Sequence, residues 1–107
     1  MAFTSVHEIL EGLSSLDPAR TQGVSGVMLF DFAGEGGGQW TLTLKDEQGV
    51  KLEEGETAVP DVTFVMEAQD FLAIANGEMN PISAFMQGRV KVSGDMALAM
   101  RLQSLLT

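Results

Sequence analysis

The strongest constraint on the fold is a double change in the spacing of apolar residues. Val6, Ile9, Leu10, Leu13 and Leu16 recur every three or four positions, one stripe of a helix. From Val24 the interval drops to two: Val24, Gly26, Met28, Phe30 and Phe32 fall on one face, and Trp40, Leu42 and Leu44 alternate with Thr41, Thr43 and Lys45. After Glu67 the helical interval returns, broken once by the alternating run Arg89-Val90-Lys91-Val92. A segment of period two wound as a helix would scatter its apolar side chains around the axis. The chain must therefore place a sheet and a helical layer on one core.

Boundary residues mark the elements. Ser5 with Glu8 three residues on forms a capping box for the first helix, which Asp17-Pro18 ends. The loop Gly34 to Gly38 joins the first two strands. A turn at Asp46 to Gly49 leads to a weaker third strand, Val50 to Glu53, completing an antiparallel meander. Pro60-Asp61 precedes a fourth strand with Val62, Phe64 and Met66 on one side. Asp70 opens a short helix carrying Phe71, Leu72, Ile74 and Ala75, stopped by Gly77. Asn80-Pro81 is an N-cap and first-turn pair for a second short helix, with Ile82, Ala84, Phe85 and Met86, ended by Gly88. After the fifth strand, Gly94-Asp95 starts a helix running to the C-terminus. The order is α-βββ-β-αα-β-α, a single α+β domain over residues 1–107. Because helices join strands four and five, at least one connection is more than a hairpin.

Composition removes several classes of chemistry. With no cysteine, disulfides, thiolate catalysis and zinc–thiolate sites are excluded. The single histidine, His7, lies on the first helix with no cluster around it, which disfavours a multi-histidine metal site, and none of the serines sits in a G-x-S-x-G elbow. The loop Gly34 to Gly38 lacks the Gly-Lys-Ser/Thr and following helix of a phosphate cradle. A formal net charge of −9 repels phosphate backbones, against nucleic-acid binding. The charge is uneven: Asp46, Glu47, Glu53, Glu54 and Glu56 crowd mid-chain, whereas Met86 to Thr107 carries Arg89, Lys91 and Arg101 against Asp95 alone. The sequence shows no membrane-spanning run, no secretory signal and no peroxisomal tripeptide at Leu105-Leu106-Thr107, giving a cytoplasmic expectation.

The apolar load of the last third is the informative feature. In the final helix Leu98, Leu102, Leu105 and Leu106 form one side, and Met96, Ala99 and Met100 widen it beyond one stripe. Seven methionines supply flexible thioethers that adapt to varied apolar surfaces. Periodicity by itself favours a helical layer packed on one sheet face over a ligand cavity.

A resemblance tips that balance. The segments Asp61-Val62-Thr63-Phe64-Val65-Met66, Asp70-Phe71-Leu72 and Gly77-Glu78-Met79-Asn80-Pro81 are followed by Ala84-Phe85-Met86-Gln87-Gly88-Arg89-Val90-Lys91-Val92 and Gly94-Asp95-Met96-Ala97-Leu98-Ala99-Met100-Arg101-Leu102. This run closely resembles the sterol-carrier-protein type 2 domain family; the N-terminal half matches more loosely. The resemblance implies a five-stranded mixed β-sheet with helices covering one face and an apolar lipid tunnel between them. It implies tunnel-lining or gating roles for Phe71, Leu72, Ile74, Ala75, Phe85, Met86, Met100 and Leu102. Arg89, Lys91 and Arg101 become candidate contacts for acyl-CoA phosphates, with solvated surface charges as the alternative. The implied ligands are fatty acids, fatty acyl-CoA, phospholipids or sterols, bound and transferred without catalysis, cofactor or metal, by a monomer or weak dimer with at most transient membrane contact. The alternative is an interaction domain whose groove takes a partner helix or presents lipid to an associated enzyme. The missing peroxisomal signal points to a bacterial stand-alone protein or a domain cut from a longer chain; family members also occur fused to thiolases and short-chain dehydrogenases.

Overall fold

Strand β1 (Ser25–Ala33) organises the sheet, because both of its edges are paired. On one side it runs antiparallel to β2 (Gly38–Lys45), which pairs antiparallel with β3 (Val50–Glu54). On the other it runs parallel to β4 (Val62–Glu67), which pairs antiparallel with β5 (Val90–Gly94). The sheet is thus mixed, in the order β3-β2-β1-β4-β5. The meander expected of the first three strands is present, and the β1–β4 pairing is the parallel one. The computed structural model describes residues 3–106, apart from the side chain of Leu106. The expectations about that side chain and Thr107 lie outside the described residues.

Register aligns the alternating residues into rows across the sheet. The middle row reads Trp40, Phe30, Phe64, Val92, and the next reads Phe32, Met66, Val90. This inner face carries all four helices: α1 (Val6–Ser14), α2 (Ala68–Ala75), α3 (Pro81–Met86) and α4 (Met96–Leu106). α1 lies over the β3 side against α2, while α3 and α4 lie over β4 and β5. Across the filled half, Ile9, Leu10, Met28, Phe30 and Leu42 are sealed from solvent. On the outer face Thr41 is buried beneath the segment after β3: its hydroxyl donates to the Gly55 carbonyl at 2.6 Å and accepts from Thr57 N–H at 3.1 Å.

Local chemistry sets the helix ends. Ser5 Oγ accepts from Glu8 N–H at 3.2 Å, as the capping box requires, while the Glu8 carboxylate accepts the Thr4 hydroxyl at 2.9 Å. α1 stops at Ser14, short of the expected Asp17-Pro18 boundary. The Ser14 and Ser15 hydroxyls both donate to the Glu11 carbonyl, at 2.8 and 3.0 Å, satisfying an end-of-helix acceptor early. Pro18 instead opens a 3-10 turn, Pro18–Thr21, which Asp17 caps. The turn at Asp46–Gln48 is also 3-10.

One junction locks β1, β4 and α4 together. Asp61 donates its N–H to the Val27 carbonyl (2.9 Å), accepts Val27 N–H on its carboxylate (2.8 Å) and accepts Asp95 N–H on its carbonyl (2.8 Å). Gly94 passes this carbonyl so closely, at φ +106°, that a Cβ would collide with it. Gly26 likewise leaves room for Leu98, whose Cδ2 would lie 2.6 Å from a Cβ there. Gly94→Ala should cost about 3 kcal/mol of stability, against about 1 for Gly77→Ala, a positive-φ glycine in open space. Urea unfolding of the two variants measures the difference.

Candidate functional site

Over β4 and β5 the helical layer does not close onto the sheet. Phe64 and Met66 from β4, with Val90 and Val92 from β5, form the floor of a cavity of about 450 Å³. Phe71 and Ile74 of α2 and Pro81, Ile82 and Phe85 of α3 form one wall, and Met96, Ala99, Met100, Leu102 and Gln103 of α4 form the other. The volume lies within the range of small-molecule sites. Among the described residues Gln103 is the one lining residue with a polar side chain, and none of those lining the cavity carries a charge.

Two features of the sequence leave this space open. The middle row narrows from Trp40 and two phenylalanines to Val92, so the floor drops toward the β5 edge. Above it α4 is suspended by Leu98, Leu102 and Leu105, all buried. Its N-terminus is fixed by Asp95, whose carboxylate accepts Leu98 N–H at 3.1 Å, and Arg20 Nη2 donates to the Ser104 carbonyl at 3.1 Å. Between these supports Ala99 presents only a methyl group to the cavity.

Of the eight apolar residues expected at the site, Phe71, Ile74, Phe85, Met100 and Leu102 line the cavity. Leu72 and Ala75 pack partly buried against the core, and Met86 is 80% exposed outside the lining. The floor residues Phe64, Met66, Val90 and Val92, with Pro81, Ile82, Met96, Ala99 and Gln103, were not among them. Alternation in β4 and β5 carries the signal for the floor, once pairing shows that both strands lie under the same helices.

The three basic candidates are not gathered at one point. Arg89 holds Asp70, with Nη1 to Oδ1 at 3.2 Å. Lys91 falls between Val90 and Val92 in β5 and so points to the sheet face away from the cavity. Arg101 lies exposed on α4 beside Met100, in a shallow groove with Gln103 and Ser104. His7 sits over the other half of the sheet, its ring 5.0 Å from that of Trp40 and its Nε2 3.1 Å from Glu11. Among the described residues no three histidine, cysteine or carboxylate side chains cluster as a metal site, and no helix is long and apolar enough to cross a membrane.

A mixed five-stranded sheet with its helices on one face and an apolar chamber beneath them defines a small α+β domain of the sterol-carrier type. The chain belongs to the SCP-2 sterol transfer family, which it matches over residues 6–107. It is 39% identical to human "Sterol carrier protein 2" over 85 residues, 77% of this chain and 15% of that protein. It is 37% identical over 94 residues to rat "Hydroxysteroid dehydrogenase-like protein 2", covering 87% of this chain and 18% of the relative. The chain thus spans about a fifth of the length of the curated relatives it matches. The solution structure of palmitated SCP2L2 from Aedes aegypti superposes with a TM-score of 0.76 at 31% identity, over 96% of this chain and 95% of that one.

Phe71 belongs both to the cavity wall and to the core, 1% exposed and with its ring 5.6 Å from Phe30 and 5.0 Å from Phe32. Phe71→Ala should cost about 3–5 kcal/mol, whereas Phe85→Ala, at the half-open rim, should cost less than about 1.5. Thermal or urea denaturation separates the two.

Proposed function

We propose that this domain binds one lipid acyl chain in the β4–β5 cavity and carries it without chemical change. The carrying observation is a cavity of about 450 Å³ with an almost wholly apolar lining, open at its α3–α4 rim. Burial contributes about 0.8 kcal/mol per methylene, so a long acyl chain reaches micromolar affinity or better after ordering costs. The palmitate carried by the mosquito relative supports a fatty acid as the first ligand to test. The lining also accommodates the tail of an acyl-CoA or a sterol. Charged headgroups would stay at the rim, since no cationic side chain lines the interior. His7 is packed against Trp40, away from the cavity, and among the described residues none that lines the cavity is a serine, threonine, histidine or carboxylate, so the lining offers a bound ester no nucleophile–base pair.

A second reading has its own support. The relatives named as dehydrogenase-like proteins are much longer than this chain, so the domain would present lipid to a catalytic neighbour in such proteins. The cavity would then be a holding site for substrate.

Ala99→Phe fills the space between the α4 supports. It should weaken binding of a fluorescent fatty acid at least roughly tenfold while shifting stability by no more than about 1–3 kcal/mol. The readout is displacement of the probe by palmitate or oleate; absence of displacement from folded wild-type protein defeats the carrier reading. α4 supplies one wall and leaves Met96 and Met100 exposed at the rim, so it is the element expected to yield during entry. Amide exchange across residues 96–106 should slow when fatty acid is added, and equal protection with and without lipid would exclude α4 as the lid.

A further inference from the structure

Six methionines fall among the described residues, and the structure divides them by what can reach their sulfurs. Met28 is sealed in the core, and Met79 is partly buried against it. Met86 is 80% exposed and stands outside the cavity lining. Met66 is the reverse case: it is 5% exposed, yet it lines the cavity from the floor. Met96 (49% exposed) and Met100 (60%) line the α4 wall and are open to solvent as well. Three thioethers therefore face whatever fills the chamber, and one of them is nearly closed to bulk water.

Flexible apolar packing accounts for a methionine in any lining, but leucine would fill much the same volume. What leucine lacks is a sulfur that peroxides oxidise. Spacing supplies a second observation. Met96, Ala99, Met100 and Gln103 follow at i, i+3, i+4 and i+7, a single stripe of α4. The one polar lining side chain among the described residues thus shares a helix face with two of the thioethers. An intact hydrocarbon chain has no use for an amide there. An oxygenated chain does, because a peroxide or hydroxyl group taken into an apolar chamber is penalised unless it finds a hydrogen-bond partner.

We propose that the chamber is also a stoichiometric peroxide trap, in which Met66, Met96 and Met100 reduce the hydroperoxide of a long-chain fatty acid to the alcohol. Unsaturated acyl chains form such hydroperoxides with oxygen, so a carrier of acyl chains meets them as ligands. The sulfur lone pair attacks the terminal peroxide oxygen, and an S–O bond forms as the O–O bond breaks. The hydroperoxide proton passes to the departing oxygen, which leaves as the alcohol. Sulfur loses two electrons and the peroxide gains them, so no further reductant enters. Gln103 supplies an amide N–H to the departing oxygen. Each thioether acts once, until its sulfoxide is reduced again. The proposal rests on the carrier reading for delivery of the oxidant, and its measurement separates the two.

The test treats the full chain, with a metal chelator present, with linoleic acid hydroperoxide and in parallel with hydrogen peroxide. Peptide mass spectrometry then maps sulfoxide at each methionine. An oxidant dissolved in water follows exposure, so hydrogen peroxide should modify Met86 well ahead of Met66. The lipid hydroperoxide should reverse that order. Binding raises its effective concentration at the lining alone, so Met66, Met96 and Met100 should oxidise at least roughly tenfold faster than Met86. Hydroxy acid should appear mole for mole with sulfoxide. Replacing two of the three thioethers, in the double variant Met96→Leu with Met100→Leu, should lower that yield per chain by about two-thirds, whereas Met86→Leu should not change it. The trap is overturned if the lipid hydroperoxide follows the same exposure order as hydrogen peroxide, or if the double variant keeps the full yield. It is also overturned if no hydroxy acid forms although palmitate displaces the fluorescent probe, and the carrier reading then stands alone. If palmitate fails to displace the probe while the lipid hydroperoxide still oxidises Met66 ahead of Met86, the trap stands and the reading as a carrier of intact chains falls.

Discussion

Phe30 is the contact on which the two halves of this molecule depend. It is fully buried at the centre of β1, and its ring lies 5.7, 5.1 and 5.6 Å from those of Phe32, Phe64 and Phe71. Each such aromatic pair contributes about 0.5–1.5 kcal/mol beyond the area it buries. More important here is where the rings stand. Phe64 and Phe71 show one side to Phe30 and the other to the cavity, so the cluster forms a rigid partition. On its α1 side the interior is packed; on its α4 side it is hollow. Loss of the partition would let the helical layer settle onto β4 and β5.

The hollow is maintained by a division of labour along α4. Leu98, Leu102 and Leu105 sit in the core, and Gly26 is cut back to admit Leu98. Met96, Ala99 and Met100, on the adjoining side of the same helix, turn to the cavity or its rim. A helix held this way belongs to the hydrophobic core as well as to the site. Shortening the chain before Met96 therefore removes core contacts along with the cavity wall. Under the carrier proposal, entry of a ligand would call for local opening around fixed points, with the Asp61–Asp95 and Arg20–Ser104 hydrogen bonds as those points.

Much of this architecture was legible in the residues. The change from helical to alternating spacing separated α1 from the sheet, and Asn80-Pro81 and Gly88 bracketed α3, because capping chemistry is local. Where α1 ends was not legible, since the Ser14 and Ser15 hydroxyls compete with Pro18 as a terminator. Nor did spacing show that β4 runs parallel to β1, a matter of long-range pairing that leaves no local mark. The site followed the same division. Resemblance and helix pattern led to Phe71, Ile74, Phe85, Met100 and Leu102. The strand floor became visible only when register put Phe64 beside Val92 and Met66 beside Val90. Lys91 shows the cost of reading charge along the chain without the pleat, because its two neighbours in sequence face the opposite way.

The placement of the one tryptophan has an optical consequence. Trp40 lies in the same cross-sheet row as Phe30 and Phe64, but two strands from the cavity floor and half-buried beside His7 of α1. Its indole therefore samples the packed half of the interior, with the phenylalanine partition between it and any occupant of the chamber. Intrinsic emission will report whether the sheet and α1 are assembled and will be nearly blind to whether the chamber is full. Occupancy has to be read with a dye that itself enters the chamber, and because such a dye would lie only about two strand spacings from the indole, close enough to take up its emission, folding is gauged from Trp40 in a parallel sample without the dye.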